Sequence, residues 1–398
     1  MVPIIEERIM QRANNETQQR APWCAVALAL RAAVLFCTFV FAISAAQAQV
    51  RWTISNDTAY RNGVSQFPIG FYYLSPYPWQ ASQRMVDLEK IADAGFNLLH
   101  TNVALRDASF MNRCAQRNVN VIIEFNDPKE SVIAAYKNHP ARAGYMVFDD
   151  VDKRTASGAH VYSQSTVSSD TSYVKSLDPA GFTWISAGYS ARFPTYVGRS
   201  DAYGLMNYPI PAETTASTDW NYRRAFPSIW PYNQLLVGIL QAFNWPGQRP
   251  PTPDEVRSMT YQALINGVKS LIYYAYKEDG YGSGFNMNSY PTLWSGFKQL
   301  PGEVLRLKDV WLFGERQKLT GNVAGVITGM WRYQGKVRVV VVNTNAYGVS
   351  YSVNIPAPTS TSVVNTFSTR PGGLYKSGSA LVGRLLPLTT YVVEMNAL

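Results

Sequence analysis

Two aspartates stand side by side where an apolar run stops. Gly144-Tyr145-Met146-Val147-Phe148 is followed by Asp149-Asp150-Val151-Asp152. Adjacent carboxylates repel, and the repulsion raises one pKa, which is how a carboxyl is kept protonated near neutrality as a general acid. Side chains alternate along a strand, so only one of Asp149 and Asp150 can point directly into a site at the strand end. The other can hydrogen-bond a neighbouring strand. A solvated acidic loop or a helix cap is the bland alternative. Two more carboxyls close similar runs: Glu124 ends Ile122-Ile123, and Glu278 follows Tyr276-Lys277. The three histidines, His100, His139 and His160, lack metal-ligand spacing. No G-x-S-x-G elbow and no Gly-rich phosphate loop occurs. The expectation is carboxyl chemistry without metal or cofactor.

These residues need a scaffold that brings strand ends together. Eight short apolar runs, at 67–73, 96–103, 119–125, 144–148, 182–186, 202–208, 235–243 and 270–276, alternate with helical patterns. Each is apolar through most of its length, as parallel strands covered on both faces are. Each turns polar or aromatic at its C-terminal end, which is the active face of a barrel. Thr252-Pro253-Asp254-Glu255 is a capping box with Pro at the first helical position, and Gly267 closes that helix. Met85, Leu88 and Ile91 form the apolar face of an earlier helix that ends at Gly95. A last helix is expected over about 292–311. The fold class is therefore α/β, a (β/α)8 barrel over residues 49–314. After Gly314 the segments 323–330, 336–343, 350–355 and 389–395 alternate at period two, which predicts a small antiparallel β-sandwich over residues 315–398.

The first 48 residues read differently. An apolar run at 32–45 ends in Ala46-Gln47-Ala48, the pattern of a secretory signal peptide cut before Gln49. The run is shorter than the roughly 20 apolar residues of a membrane span. Export to a bacterial periplasm or beyond is expected, with no stable span afterwards. Cleavage removes Cys24 and Cys37 and leaves Cys114 as a buried core thiol with no disulfide partner. The net charge of +9 falls to near +8. Such a charge could favour an anionic polysaccharide, but no Lys/Arg cluster stands out, so solubility is the reading preferred. Nothing points to nucleic acid.

The segment from Asn138-His139-Pro140-Ala141 through Asp149-Asp150 resembles the HPALLGWYLADEP stretch of barrel glycoside hydrolases related to the large retaining clan. Asn62-Gly63 before Phe67-Pro68-Ile69-Gly70 resembles their opening NGKPFFPIG. Residues 201–210, through Asn207-Tyr208-Pro209, resemble DVVGLDPYPI. Gln241-Ala242-Phe243 with Arg249-Pro250-Pro251-Thr252 resembles QAFG…RPPTPEE. The resemblance spans nearly all of the chain after the leader, in the same order. It implies an O-glycosyl hydrolase acting on a polysaccharide or oligosaccharide, with the residue at Asp150 as proton donor. Two positions depart from the pattern. Asp150 replaces Glu, which retracts the acid by roughly 1.5 Å, and misplacement of that size is costly in catalysis. Gln241 stands where retaining members carry a nucleophilic Glu, and a Gln can only hydrogen-bond a hydroxyl.

Two-carboxyl glycoside hydrolysis needs groups about 5 Å apart for retention or about 6.5–9.5 Å for inversion. The partner of Asp150, aided by Asp149, is then Glu124 on the adjacent strand or Glu278 on the last. Glu124 could equally form a structural ion pair with Arg106 or Lys129. Asp201 precedes its strand and falls at the wrong end. Tyr72, His100, Asn102, Asn207, Tyr208, Gln241 and Tyr276 are expected to bind sugar hydroxyls. Trp245, with Trp79, Trp220 and Trp230, is expected to stack on sugar rings. Two rivals keep the same site: a glycan-binding barrel that has lost catalysis, and a transglycosylase or exopolysaccharide-modifying protein.

Overall fold

The structure, a computed structural model, describes residues 49–102, 107–279, 283–367 and 373–398. The expected leader and Arg106 lie outside the described residues. Three antiparallel strands come first: β1 (Trp52–Ser55), β2 (Thr58–Arg61) and β3 (Val64–Gln66). Their sequence signal is a pair of two-residue turns, Asn56-Asp57 and Asn62-Gly63, all four residues at positive φ. Such turns match the right-handed twist of a hairpin. Trp52 is buried against Phe182 with ring centroids 5.8 Å apart, and its backbone N–H donates to the Ala180 carbonyl. The small sheet thus closes the N-terminal end of the barrel.

The barrel strands are β4 (Ile69–Leu74), β5 (Leu98–Thr101), β6 (Asn120–Glu124), β7 (Arg142–Phe148), β8 (Phe182–Ala187), β9 (Ala202–Asn207), β10 (Leu235–Gln241) and β11 (Ser270–Glu278). They are parallel and close in sequence order, with β11 paired to β4. The expected strands are all present. Closure is tight at Gly144, where a β-carbon would fall 2.1 Å from the Phe182 carbonyl oxygen. Among the described residues six helices cover the outside of the strands: α1 (Ala81–Asp93), α2 (Ala108–Gln116), α3 (Lys129–Tyr136), α4 (Gln164–Leu177), α5 (Ala216–Ile229) and α6 (Pro253–Ile265). Between β8 and β9 a single 3₁₀ turn, Phe193–Tyr196, takes the helix's place. The capping box at Thr252 and Glu255 forms as expected, and Gly267 ends α6 at φ +91°.

The single helix expected near 292–311 is three short ones: α7 (Pro291–Phe297), α8 (Leu300–Arg306) and α9 (Lys308–Phe313). Pro301 sits in the first turn of α8, where its missing N–H cannot continue a helix from the preceding turn. A five-stranded sheet follows: β12 (Glu315–Leu319), β13 (Val326–Tyr333), β14 (Lys336–Asn343), β19 (Thr390–Asn396) and β16 (Val364–Asn365), in that spatial order. A second sheet orders β15 (Val349–Asn354), β18 (Ala380–Leu385) and β17 (Leu374–Ser377). Leu319, Val339, Val341, Tyr351, Leu381 and Val393 form the core between them. Val340, Val342 and Val392, on the other face of the large sheet, join the barrel's outer core. Both faces of β14 are therefore buried, which explains its unbroken valines. Val50–Leu398 pack as one unit, with Trp311 on Trp331 at 4.9 Å across the seam. No described helix is long and apolar enough to cross a membrane.

Candidate active site

The acidic residues gather at the C-terminal mouth of the barrel. Glu124 is the last residue of β6, Asp149 and Asp150 follow β7, and Glu278 is the last residue of β11. In the closed strand order β6 and β7 are neighbours, while β11 lies four strands from β7 and so opposite it. Asp149 and Asp150 diverge, as strand alternation requires. The Asp149 carboxylate accepts a hydrogen bond from the Ser186 hydroxyl on β8. The same hydroxyl accepts the Asp150 N–H at 2.9 Å. One serine thus fixes the turn, and it holds Asp150 in the left-handed region at φ 52°, a conformation that aspartate tolerates better than most residues. Asp150 then points along the β8 side and pairs with Lys153 at 3.2 Å. Asp152 is buried and accepts the N–H groups of Gly188 and Tyr189 at 2.9 and 3.0 Å.

Burial, and then the Asp150 charge, push the Asp149 carboxyl up to about 6. Burial, and then the Asp149 charge, push Glu124 up to about 7. Both carboxyls are thus raised by burial first and a neighbouring carboxylate second, and the pair titrates as a coupled unit. His100 Nε2 lies 3.7 Å from Glu124 Oε2. Burial lowers the His100 pKa to about 3, so the ring is neutral and the contact is not an ion pair. Glu278 is buried and accepts the Ser283 hydroxyl. Tyr274 lies within the fields of Asp149 and Glu124, which together with burial raises its phenol. Tyr274 lines the same cleft as Asp149 and Glu278.

A cleft of about 1180 Å³ opens above them. Asp149, Asp150, Glu278, Asn207, Tyr208 and Trp245 line it, together with Tyr189, Trp220 and Tyr274. Glu124 is on the adjacent strand and outside the cleft wall. Tyr72 and His100 are fully buried beneath it, their rings 4.1 Å apart. The hydroxyls of Tyr72 and Tyr208 and both His100 nitrogens have no hydrogen-bond partner among the described residues. Buried polar atoms without partners in a polar setting mark places for water or a ligand hydroxyl. Asn102 is buried at the end of β5, away from the cleft wall. Asn207 accepts the Thr218 hydroxyl at 2.6 Å.

Four residues stand differently from the expectation, and none of them lines the cleft. Gln241 is 0% exposed, with Oε1 accepting the Ile210 N–H and Nε2 donating to the Ile210 and Phe243 carbonyls. Its amide therefore holds the loop after β9 and offers nothing to a sugar. Tyr276 points outward, packed against Phe71, Tyr73 and Trp294. Trp230 follows the last turn of α5, at the closed end of the barrel. Trp79 is 75% exposed and stacked on Tyr77. Tyr274, Ser186, Tyr189 and Lys153 were not singled out from the sequence. Alternation along β11 could not have found Tyr274, because the strand's register shifts between Tyr273 and Lys277 and places Tyr274 and Tyr276, two residues apart, on opposite faces. Among the described residues no group of His, Cys, Asp or Glu is arranged to hold a metal ion.

No protein-family model matches the chain, and no curated protein sequence does. Solved structures do. An alpha-amylase from Geobacillus thermoleovorans, complexed with acarbose, matches over 86% of this chain and 99% of its own at TM-score 0.58 and 11% identity. A glycoside hydrolase matches over 87% and 97% at TM-score 0.59 and 13% identity. A family 5 glycoside hydrolase from Bacteroides vulgatus matches over 87% and 93% at TM-score 0.56 and 14% identity. At such identities the likeness is one of architecture, and the chain has the fold of the (β/α)8-barrel glycoside hydrolases, followed by a C-terminal β-sandwich.

Proposed function

We propose that the protein is an exported O-glycosyl hydrolase that cleaves a polysaccharide or oligosaccharide with two carboxyls of the barrel mouth. The observation that carries this reading is the single cleft that Asp149 and Glu278, from opposite strands of the barrel, both line, together with Tyr274. Asp149 supplies the proton to the glycosidic oxygen. Its carboxyl stays protonated into the mildly acidic range because burial and the Asp150 charge oppose its ionisation. Glu278, held by the Ser283 hydroxyl, is the carboxylate that faces the other side of the bond. A carboxylate there either attacks the anomeric carbon or deprotonates a water, according to its distance from the acid. Asp150, the position the family resemblance points to, acts on the acid through its charge. The leader expected in the first 48 residues supports export.

Asp149→Asn and Glu278→Gln, assayed on a glycan panel, should each lower kcat by about 10²–10⁴-fold. Unchanged turnover of a true substrate by either variant removes that residue from the mechanism. If Asp150→Asn is the more damaging change, the donor is Asp150 instead.

A second reading has one specific support. Gln241 occupies the clan's nucleophile position and is wholly engaged with backbone. A glycan-binding barrel without turnover fits that fact. Calorimetric binding with no product after days of incubation favours it over hydrolysis.

A further inference from the structure

The cleft has a basic flank that the sequence scatters and the fold assembles. Lys153 and Arg154 on the loop after β7, and Arg192 on the loop after β8, line the same cleft as Asp149 and Asp150. Lys153 pairs with Asp150. Neither guanidinium has a carboxylate partner among the described residues. Arg154 Nη1 donates to the Gly158 carbonyl at 2.8 Å, and Arg192 Nη1 donates to the Asp152 carbonyl oxygen at 3.2 Å. The Asp152 carboxylate, the nearest candidate partner in sequence, is engaged by the N–H groups of Gly188 and Tyr189. Arg192 is further fixed over the face of Tyr189, 4.3 Å from guanidinium carbon to ring centroid. A planar guanidinium has five N–H donors, so each of these keeps most of its donors for something else. The other acid on this cleft away from the floor, Glu213, is on the loop after β9.

A neutral glycan offers these guanidiniums only hydroxyl and ring oxygens, which accept hydrogen bonds but leave the charge uncompensated. An anionic substituent does, because carboxylate and sulfate accept the parallel N–H pair of an arginine. Resting on the hydrolase reading of this site, we infer that the substrate is an anionic glycan whose charged substituent docks between Arg154 and Arg192, beside the catalytic floor. The basic flank sets which sugar lies next to the scissile bond, and Tyr189 gives that ring a face to stack on.

The test is paired substrates on the full chain. A uronate-containing polysaccharide is compared with the same polymer after carboxyl reduction, and a sulfated glycan with its desulfated form. Expected is at least a tenfold higher kcat/KM for one charged member of a pair, falling as salt rises. The preferred pair tells carboxylate from sulfate. Arg154 is exposed and bonds only to a backbone carbonyl, so Arg154→Gln should fold, and it should reduce the charged-to-neutral ratio severalfold. Arg192→Lys should retain part of the ratio and Arg192→Gln little of it. Equal turnover of charged and neutral members overturns the inference and leaves the hydrolase reading standing. Arg154-dependent, salt-sensitive binding of the charged glycan with no turnover of any member supports the anionic site and overturns the hydrolase reading.

Discussion

The two ends of strand β7 make a controlled comparison. Both carry charge into the barrel wall, and only one end is open. At the closed end, Arg142 is fully buried and donates to the carbonyls of Val50, Lys137 and Ala180. It pairs with Asp178 at 3.1 Å, and Asp178 also accepts the Tyr145 hydroxyl and the N–H groups of Ala180 and Gly181. At the open end, Asp149 has one hydroxyl donor and a like charge next to it. The closed end compensates its charge with fixed donors and a counter-ion. The open end leaves ionisation uphill, and that difference separates an architectural carboxylate from one able to carry a proton.

The largest effect should come from breaking the compensated end. Asp178→Ala leaves a buried guanidinium without its counter-ion, and urea unfolding should show a loss of about 3–5 kcal/mol. Asp149→Asn should act in the opposite direction. The raised folded-state pKa means that stability is full below the unfolded value near 4 and is lost as pH rises through about 6. Removing the charge should therefore raise stability at pH 8, on the order of 1–2 kcal/mol. If Asp149→Asn destabilises at pH 8 as much as Asp178→Ala, the two ends are alike and the comparison fails.

Much of this architecture is legible in the amino-acid sequence. The eight apolar runs, the capping box at Thr252 and the change of period after Gly314 reflect local rules, and each appears where those rules put it. The hairpin sheet around Trp52 was missed because its strands are only three or four residues long, too short for periodicity to register. The site was legible as a set of strand ends and illegible as a set of roles. Nothing local distinguishes Asp149 from Asp150. The Ser186 hydroxyl, 36 residues beyond Asp150, sets which one turns inward. The basic flank escaped for the same reason, since Lys153 and Arg192 meet only once β7 and β8 pair.

Gln241 sharpens the comparison at the next level of effect. A degraded nucleophile should recover some activity on Gln241→Glu. A structural amide should not, because the new carboxylate would face the Ile210 and Phe243 carbonyls with no proton to offer them. The structure predicts a loss of about 2–4 kcal/mol in thermal or urea unfolding and no gain in turnover. A rise in glycan hydrolysis would place residue 241 among the catalytic groups and move the negative partner from β11 to β10.

The smallest effect tests how the open end works. Asp150 is the second cause, after burial, of the raised Asp149 pKa. Asp150→Asn removes a negative charge beside the acid, so the proton leaves Asp149 more easily. If Asp149 is the donor, its protonated form limits the alkaline limb of kcat/KM against pH, and that limb lies near 6. The variant's limb should shift to lower pH by about half a unit to one unit, consistent with a partly exposed neighbouring charge. The maximal rate at low pH should fall little, since Asp149 and Glu278 remain. A shift to higher pH would mean that the limb does not report a proton held beside the Asp150 charge, and Asp149 would lose its place as the donor. A loss of rate at every pH would mean that residue 150 itself delivers the proton, and Asp149 would then be the group that tunes it.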